Sequence, residues 1–432
     1  MLRAIRWLLV PALVAGGPAA AQGPTYAEIV GHLQRGGEAL GRGDTAGYLD
    51  GSRASYRLAP TSPVIAYHYA RALALTGAAD SAIALLGRLA VEGAVSAFEA
   101  PTDSAFAGLA ERPAFRAVVE RIARAREPVS HSRTAFELAE RDLIPEGTAY
   151  DARTGTLYLS SIYKRKIVAV AADGAVRDLT ATGQDGLGPV GGLEVDPRRR
   201  ELWAATIYLA GGPVPVADSS LIGVGAVHRY DLVTGRLIRR YRLPPSGGTR
   251  HGFNDLTIMP NGDMYVTDSE SGGVYAVLAG QDSLVEILPP ATYVFPNGIT
   301  HSEDGRALFI AHGGGIERLD PGTGRRQALV APDTLNLSWV DGLTFYRNSL
   351  IAHQPSAFQR VLRVYLDPGQ TRVTRSEILE RHHPRFAQPT TGDLAGDRYY
   401  YIANAQLRRF RDGRIFPWEE LDPVLILMVD LR

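Results

Sequence analysis

Cysteine is absent from all 432 residues. That removes disulfides, thiolate metal ligands and a cysteine nucleophile, and leaves any metal to oxygen or histidine donors. A charge excess is absent too. The 46 Lys and Arg balance 46 Asp and Glu, so no net field draws the chain to nucleic acid or to an anionic membrane. The G-x-S-x-G elbow, H-E-x-x-H and G-x-x-x-x-G-K are all missing, which excludes the commonest nucleophile, zinc and P-loop arrangements. Long apolar runs are nearly absent. The first, Trp7 to Ala15, follows Arg3 and Arg6 and precedes Ala19-Ala20-Ala21. It is too short to span a bilayer. A charged start, a short apolar stretch and small residues read as a signal peptide over 1–21, hence an exported protein, periplasmic or secreted; an uncleaved anchor is the alternative. No second stretch approaches membrane length, so no span is expected in the mature chain.

The length favours two domains, and the pattern changes once. Residues 24–128 are rich in Ala and Leu, with apolar residues at three and four spacings through Tyr67–Leu75 and a stop at Gly77. Asp80 is placed to cap the following helix, which carries Ala82, Leu85, Leu86 and Leu89 on one face. This pair resembles a tetratricopeptide repeat, and Phe106–Phe115 resembles the helix that closes such repeats. A helical tetratricopeptide-like domain is therefore expected over 24–128, with Ala125–Pro128 as the boundary.

From about Ser132 the chain reads as short strands joined by tight turns, such as Asp151–Gly155, Pro260-Asn261-Gly262 and Glu303-Asp304-Gly305. Six segments align on one small motif and the hairpin after it: IPEGTAYDARTGTLYLSS, PVGGLEVDPRRRELWAAT, GFNDLTIMPNGDMYVTDS, FPNGITHSEDGRALFIAH, WVDGLTFYRNSLIAHQ and PTTGDLAGDRYYYIANAQ. Glu146, Gly191, Asn254, Asn297, Asp341 and Thr391 share one slot, at successive separations of 45, 63, 43, 44 and 50 residues. Each interval is one blade of four short strands; the 63 contains a Gly- and Pro-rich insertion at Leu209–Gly225. The expected fold is an all-β six-bladed β-propeller over 130–432. Gly313-Gly314-Gly315 reads as a turn within it, and Lys164-Arg165-Lys166 as a solvated hairpin face.

In a propeller the first strand of every blade lines the axis, so a shared slot converges. Two carboxylates and two amide oxygens meeting there would repel one another without a cation. Oxygen donors select Ca²⁺, or Mg²⁺ and Mn²⁺, over softer metals, with Zn²⁺ also considered. The competing reading is that Asn, Asp and Gly are there as turn formers.

The motifs Pro145-Glu146-Gly147, Phe253-Asn254-Asp255, Pro296-Asn297-Gly298 and Val340-Asp341-Gly342, in that order, resemble those of the gluconolactonase/regucalcin (senescence marker protein)/luciferin-regenerating-enzyme superfamily of propellers, over about residues 135–432. The resemblance implies that Glu146, Asn297 and Asp341 bind one divalent cation, Ca²⁺ first. Asn254 completes the site or holds substrate, and Asp341 serves as general base or nucleophile. Asp255 is either a supporting residue or a hairpin structural one. His251 and His353 are candidates for substrate contact, with His312 and Gln388 near the same slots; each has an ordinary structural reading as well. The implied activity is hydrolysis of a small-molecule lactone or related ester, a sugar lactone among them, with the cation polarising the carbonyl and Asp341 activating water. The alternative is a non-catalytic, Ca²⁺-stabilised platform that binds a ligand, or a protein partner through the helical domain. A strictosidine-synthase-like propeller is a third reading, without an obvious counterpart for that family's carboxylate.

Overall fold

The computed structural model describes residues 24–94, 102–208, 219–411 and 414–432. The expected signal peptide and most of the insertion at Leu209–Gly225 lie outside them. Among the described residues no helix is long and apolar enough to cross a membrane.

The N-terminal part is helical: α1 Tyr26–Gly41, α2 Thr45–Leu58, α3 Pro63–Leu75, α4 Ala79–Glu92 and α5 Pro113–Ala125. Caps explain the starts. The Thr25 side chain accepts from Glu28 N–H and Asp44 from Gly47 N–H, each satisfying a donor with no partner inside the helix. Helices α1 and α2 meet at Gly36 and Gly51, where a Cβ on Gly51 would lie 2.8 Å from Gly36 Cα. Gly77, at φ +86°, ends α3 as expected. Asp80 does not cap α4. Ala78 holds the cap position without a side-chain bond, and Asp80 sits in the first turn, where it pairs with Arg112 at 2.6 Å. The left-handed turn at Gly77 has already brought the chain into helix by Ala79, so the carboxylate arrives too late to cap.

Six blade sheets follow, each built on the strand nearest the axis, beside a two-stranded ribbon of Phe410–Arg411 with Arg414–Ile415. Blade 1 is Thr148–Asp151, Thr156–Ser161, Lys166–Val170 and Val176–Asp178. The inner strands of blades 2 to 6 are Val190–Asp196, Phe253–Ile258, Ile299–His301, Leu343–Tyr346 and Gly392–Ala395. Within blades all pairing is antiparallel, and between sequence neighbours save in blade 6 and at the edge of blade 5. There Arg133–Leu138 pairs with Val424–Asp430, so the start of the domain supplies the outer strand of the last blade. Val129–Ser130 adds a fifth strand to blade 5.

Blades pack face to face, and each seam has its own apolar cluster. Blade 1 sends Ile167 and Ala169 toward blade 2, while Val168 and Val170 meet Ile402, Val424 and Ile426 of blade 6. Alternation along one strand thus serves two neighbours. Both faces are buried, so Lys-Ile-Val-Ala-Val reads as one apolar run. Even Lys166 is buried, paired with Glu140 at 3.0 Å and Asp178 at 2.8 Å. The basic cluster is therefore not a solvated face at that position.

The helices rest on the propeller at blades 4 and 5. Ala357 and Phe358 of blade 5 lie in the core formed by α3, α4 and α5. Thr61 Oγ1 donates to the carbonyl of Gly313, in the expected turn; Asn336 Nδ2 and Ser338 Oγ donate to Thr61 O. Arg360, stacked on Phe358, donates to Glu92 O, Asn336 O and Gln354 Oε1.

Candidate metal centre and active site

Each candidate donor sits just before, or at the start of, an inner strand, and the local backbone is shared. Ile144, Phe295 and Trp339, each two residues before Glu146, Asn297 and Asp341, are left-handed at φ +48°, +50° and +53°. Bulky residues adopt that conformation only under constraint. The glycine after Glu146, Asn297 and Asp341 has a different reason. A Cβ on Gly342 would lie 2.6 Å from the Thr390 carbonyl oxygen and 2.7 Å from Thr391 Cα, and Gly147 and Gly298 stand equally close to the next blade at Gly191 and Asp341. The recurring glycine lets six inner strands approach around a narrow axis.

The remaining two slots hold the ring itself. Thr391 Oγ1 donates to the Glu146 carbonyl at 2.6 Å, joining blade 6 to blade 1. Gly191 lies under the Asn254 carbonyl, 2.6 Å from where its Cβ would be.

Asn297 Nδ2 donates to Asp341 Oδ1 at 2.6 Å, so these two side chains meet directly. Asn254 Nδ2 donates to Ser269 Oγ at 2.8 Å, and that hydroxyl in turn donates to Pro296 O. Both amide nitrogens are thereby committed. Glu146 Oε2 and Asn297 Oδ1 are buried acceptors with no hydrogen-bond partner, a costly state for polar atoms out of water. Burial, then the Asp341 and Asp255 charges, push the Glu146 carboxyl well above its ordinary range. Burial raises Asp341 to about 7 against the opposing Asn297 hydrogen bond.

Further along the same inner strands the axis widens into a cavity of about 210 Å³, lined by Glu194, Asp255, Asp393 and Thr148 among others. Burial raises Asp255 to about 7 although Leu256 and Ile299 N–H donate to it, and raises Asp393 to about 6 against Tyr150 and Leu394 N–H. Glu194 is raised by burial and then by Asp393 and Asp255. Asp255 and Asp393 each tie one blade to the next through those backbone bonds. Glu194 and Asp393 were not singled out from the sequence. Their signal was a carboxylate inside the otherwise apolar inner strands of PVGGLEVD and PTTGDLAG.

The oxygen donors of Glu146, Asn254, Asn297 and Asp341, with two orphaned buried acceptors and two carboxylates raised chiefly by burial, fit a divalent cation. Among the described residues no group of three or more His, Cys, Asp or Glu side chains has metal-holding geometry. The ring holds only two carboxylates, its other donors being amide oxygens.

The histidines lie elsewhere. His251 Nδ1 is 2.6 Å from Asp268 Oδ2, inside blade 3. His353 is buried with Nε2 3.0 Å from Tyr399 OH, is pushed down to about 3 by burial, and its Nδ1 has no partner. His312 stacks on Tyr293 at 4.7 Å and accepts from Gly314 N–H. Gln388 accepts from Arg408 N–H. None of these four lines the cavity of about 150 Å³ that opens on Asn297 and Asp341; Phe295, Trp339, Val340, Pro355 and Ser356 do.

Residues 144–319 match the SMP-30/Gluconolactonase/LRE-like region. That match begins two residues before Glu146, includes Asn254 and Asn297, and ends before Asp341. No curated protein matches the sequence. Among solved structures, a gluconolactonase from Xanthomonas campestris is 17% identical with a TM-score of 0.46, covering 71% of this chain and 92% of its own. A calcium-binding regucalcin from Agrobacterium tumefaciens C58 is 16% identical with a TM-score of 0.46, covering 68% and 93%. A luciferin-regenerating enzyme is 14% identical with a TM-score of 0.48, covering 71% and 96%. Streptogramin B lyase is 16% identical with a TM-score of 0.45, covering 69% of this chain and 96% of its own.

Proposed function

We propose that the chain is a metal-dependent hydrolase of a lactone or related ester, working in the periplasm or outside the cell. What supports the reading is that Asn297 is bonded to Asp341, that the Asp341 charge acts on Glu146, and that Glu146 Oε2 and Asn297 Oδ1 are left as buried, unsatisfied acceptors. When bound there, Ca²⁺ or a similar cation supplies Lewis-acid polarisation of a carbonyl oxygen. Asn297 holds Asp341 Oδ1, which leaves Oδ2 to take the proton of an attacking water and return it to the departing ring oxygen. Phe295 and Trp339 flank the mouth and limit the water that reaches it.

The test is to titrate the purified protein with Ca²⁺, Mn²⁺ and Zn²⁺ against a panel of lactones. Asp341→Asn should lower kcat by about 10²–10⁴-fold, the usual worth of a positioned general base. Wild-type rates in that variant, or no turnover with any metal, would sink the reading. The alternative, a Ca²⁺-stabilised binding propeller, is supported by the axial carboxylates, which call for a cation whether or not chemistry follows. It predicts a Ca²⁺-dependent rise in Tm with no turnover anywhere in the panel.

A further inference from the structure

The hydrolase reading leaves the substrate's substituent open, and the helical domain bears on it. Tyr26, Ile29, Val30 and Leu33 fall at positions i, i+3, i+4 and i+7 of α1, a single stripe. That stripe, with Val64 and Ile65 at the start of α3, faces Trp339 and Phe358 of the propeller across a cavity of about 200 Å³. Only Ser62 and Ser356 interrupt its apolar wall. Trp339 and Ser356 also line the smaller cavity that holds Asn297 and Asp341, so the two spaces share a wall. Tyr26 packs on Phe295 at 4.7 Å and on Trp339 at 5.9 Å between ring centroids, which brings α1 to the mouth of the metal centre. Both propeller aromatics stand in the left-handed backbone that precedes a candidate donor.

We propose that this chamber is a subsite for an apolar substituent of the substrate. The preferred substrates are then lactones or esters bearing an alkyl or aryl group, rather than polyhydroxylated sugar lactones. The proposal rests on the hydrolase reading. Size agrees: an apolar cavity of about 150 Å³ accepts benzene, so the chamber takes a ring or an alkyl chain of several carbons. Polarity agrees as well. A wall of nine apolar side chains and two serines has too few polar groups to replace the hydration of sugar hydroxyls.

The experiment measures kcat/KM of the Ca²⁺-loaded full chain on δ-valerolactone, δ-octalactone, δ-decalactone and glucono-δ-lactone. Val64→Phe and Leu33→Phe are assayed beside wild type, two variants so that one misfolded protein does not decide the matter. Intrinsic tryptophan fluorescence is titrated in parallel with δ-decalactone in wild type and in Trp339→Phe, the difference giving the Trp339 signal as a readout independent of turnover. The expected result is a rise in kcat/KM of about fourfold per added methylene until the chamber is full. A folded filling variant should lose at least tenfold on δ-decalactone and keep its rate on δ-valerolactone. Equal rates along the series, with Val64→Phe and Leu33→Phe unchanged, would overturn the subsite and leave the hydrolase standing. No turnover at all, with saturable quenching that a filling variant abolishes, would overturn the hydrolase and leave the subsite. Absence of both turnover and saturation would overturn both.

Discussion

Asp341 and Glu146 face one another across the axis without a basic side chain among the groups that act on them. Their carboxyls are raised in the folded, metal-free protein, so the native state holds protons that the unfolded chain releases at lower pH. The sign follows: stability is greatest below the ordinary carboxylate range and is lost as pH rises through about 7, the raised value of Asp341 and Asp255. We expect Tm of the chelated protein to fall between pH 5 and pH 8 in a thermal melt. Added Ca²⁺ should restore more at pH 8 than at pH 5, because ligation requires the deprotonated carboxylates. Gly342 supplies a second expectation. Gly342→Ala places a Cβ 2.6 Å from Thr390 O, and the overpacking should cost about 1–3 kcal/mol. Urea melts would measure that cost, and Ca²⁺ titration should show weaker binding as Asp341 shifts. The meeting of Asn297 with Asp341 was legible in advance. The slot alignment picks out Glu146, Asn254, Asn297 and Asp341 from chain spacing alone, because one residue per blade recurs wherever strands repeat around an axis. Glu194 and Asp393 escaped, since their partners lie in other blades and only the axial cavity brings them together.

Strands are where local pattern and final role diverge most. Arg133–Leu138 is recognisable as a strand, yet nothing nearby in sequence says that it pairs with Val424–Asp430. That pairing closes the ring, and Leu138, 2% exposed, sits in the seam between blades 6 and 1. Leu138→Ala should therefore destabilise the whole propeller by about 2–5 kcal/mol, as for a core residue elsewhere in the fold. Guanidinium unfolding followed by far-ultraviolet circular dichroism would show one cooperative shift; a loss confined to a fraying edge would contradict the closure. Asp80 and Lys166 teach the same lesson in miniature. Each has the composition of a cap or a solvated face, and each is instead claimed by a partner far enough away that only the assembled element supplies it.

The whole molecule joins helices to propeller through few but buried contacts. Arg360 donates to Glu92 O, Asn336 O and Gln354 Oε1 from a site so desolvated that its guanidinium is pushed down to about 9. Arg360→Ala would leave Glu92 O and Gln354 Oε1 unpaired, at about 1–3 kcal/mol each, while Asn336 O keeps the Gln354 Nε2 donor. Calorimetry should then resolve two transitions, the helices melting first, where the wild type shows one. A single unchanged transition would mean that apolar packing around Phe358 suffices.

The amino-acid sequence by itself determined the helical and propeller architectures and the count of six blades. These follow from periodicity and spacing, which are properties of a chain read in one dimension. Tertiary structure alone decided which strand closes the ring, which carboxylates share the channel, that His251 and His353 are held by Asp268 and Tyr399, and that α1 walls a chamber beside Asp341. Each of these depends on contacts between residues whose proximity is produced by folding, and no local preference of either partner encodes it.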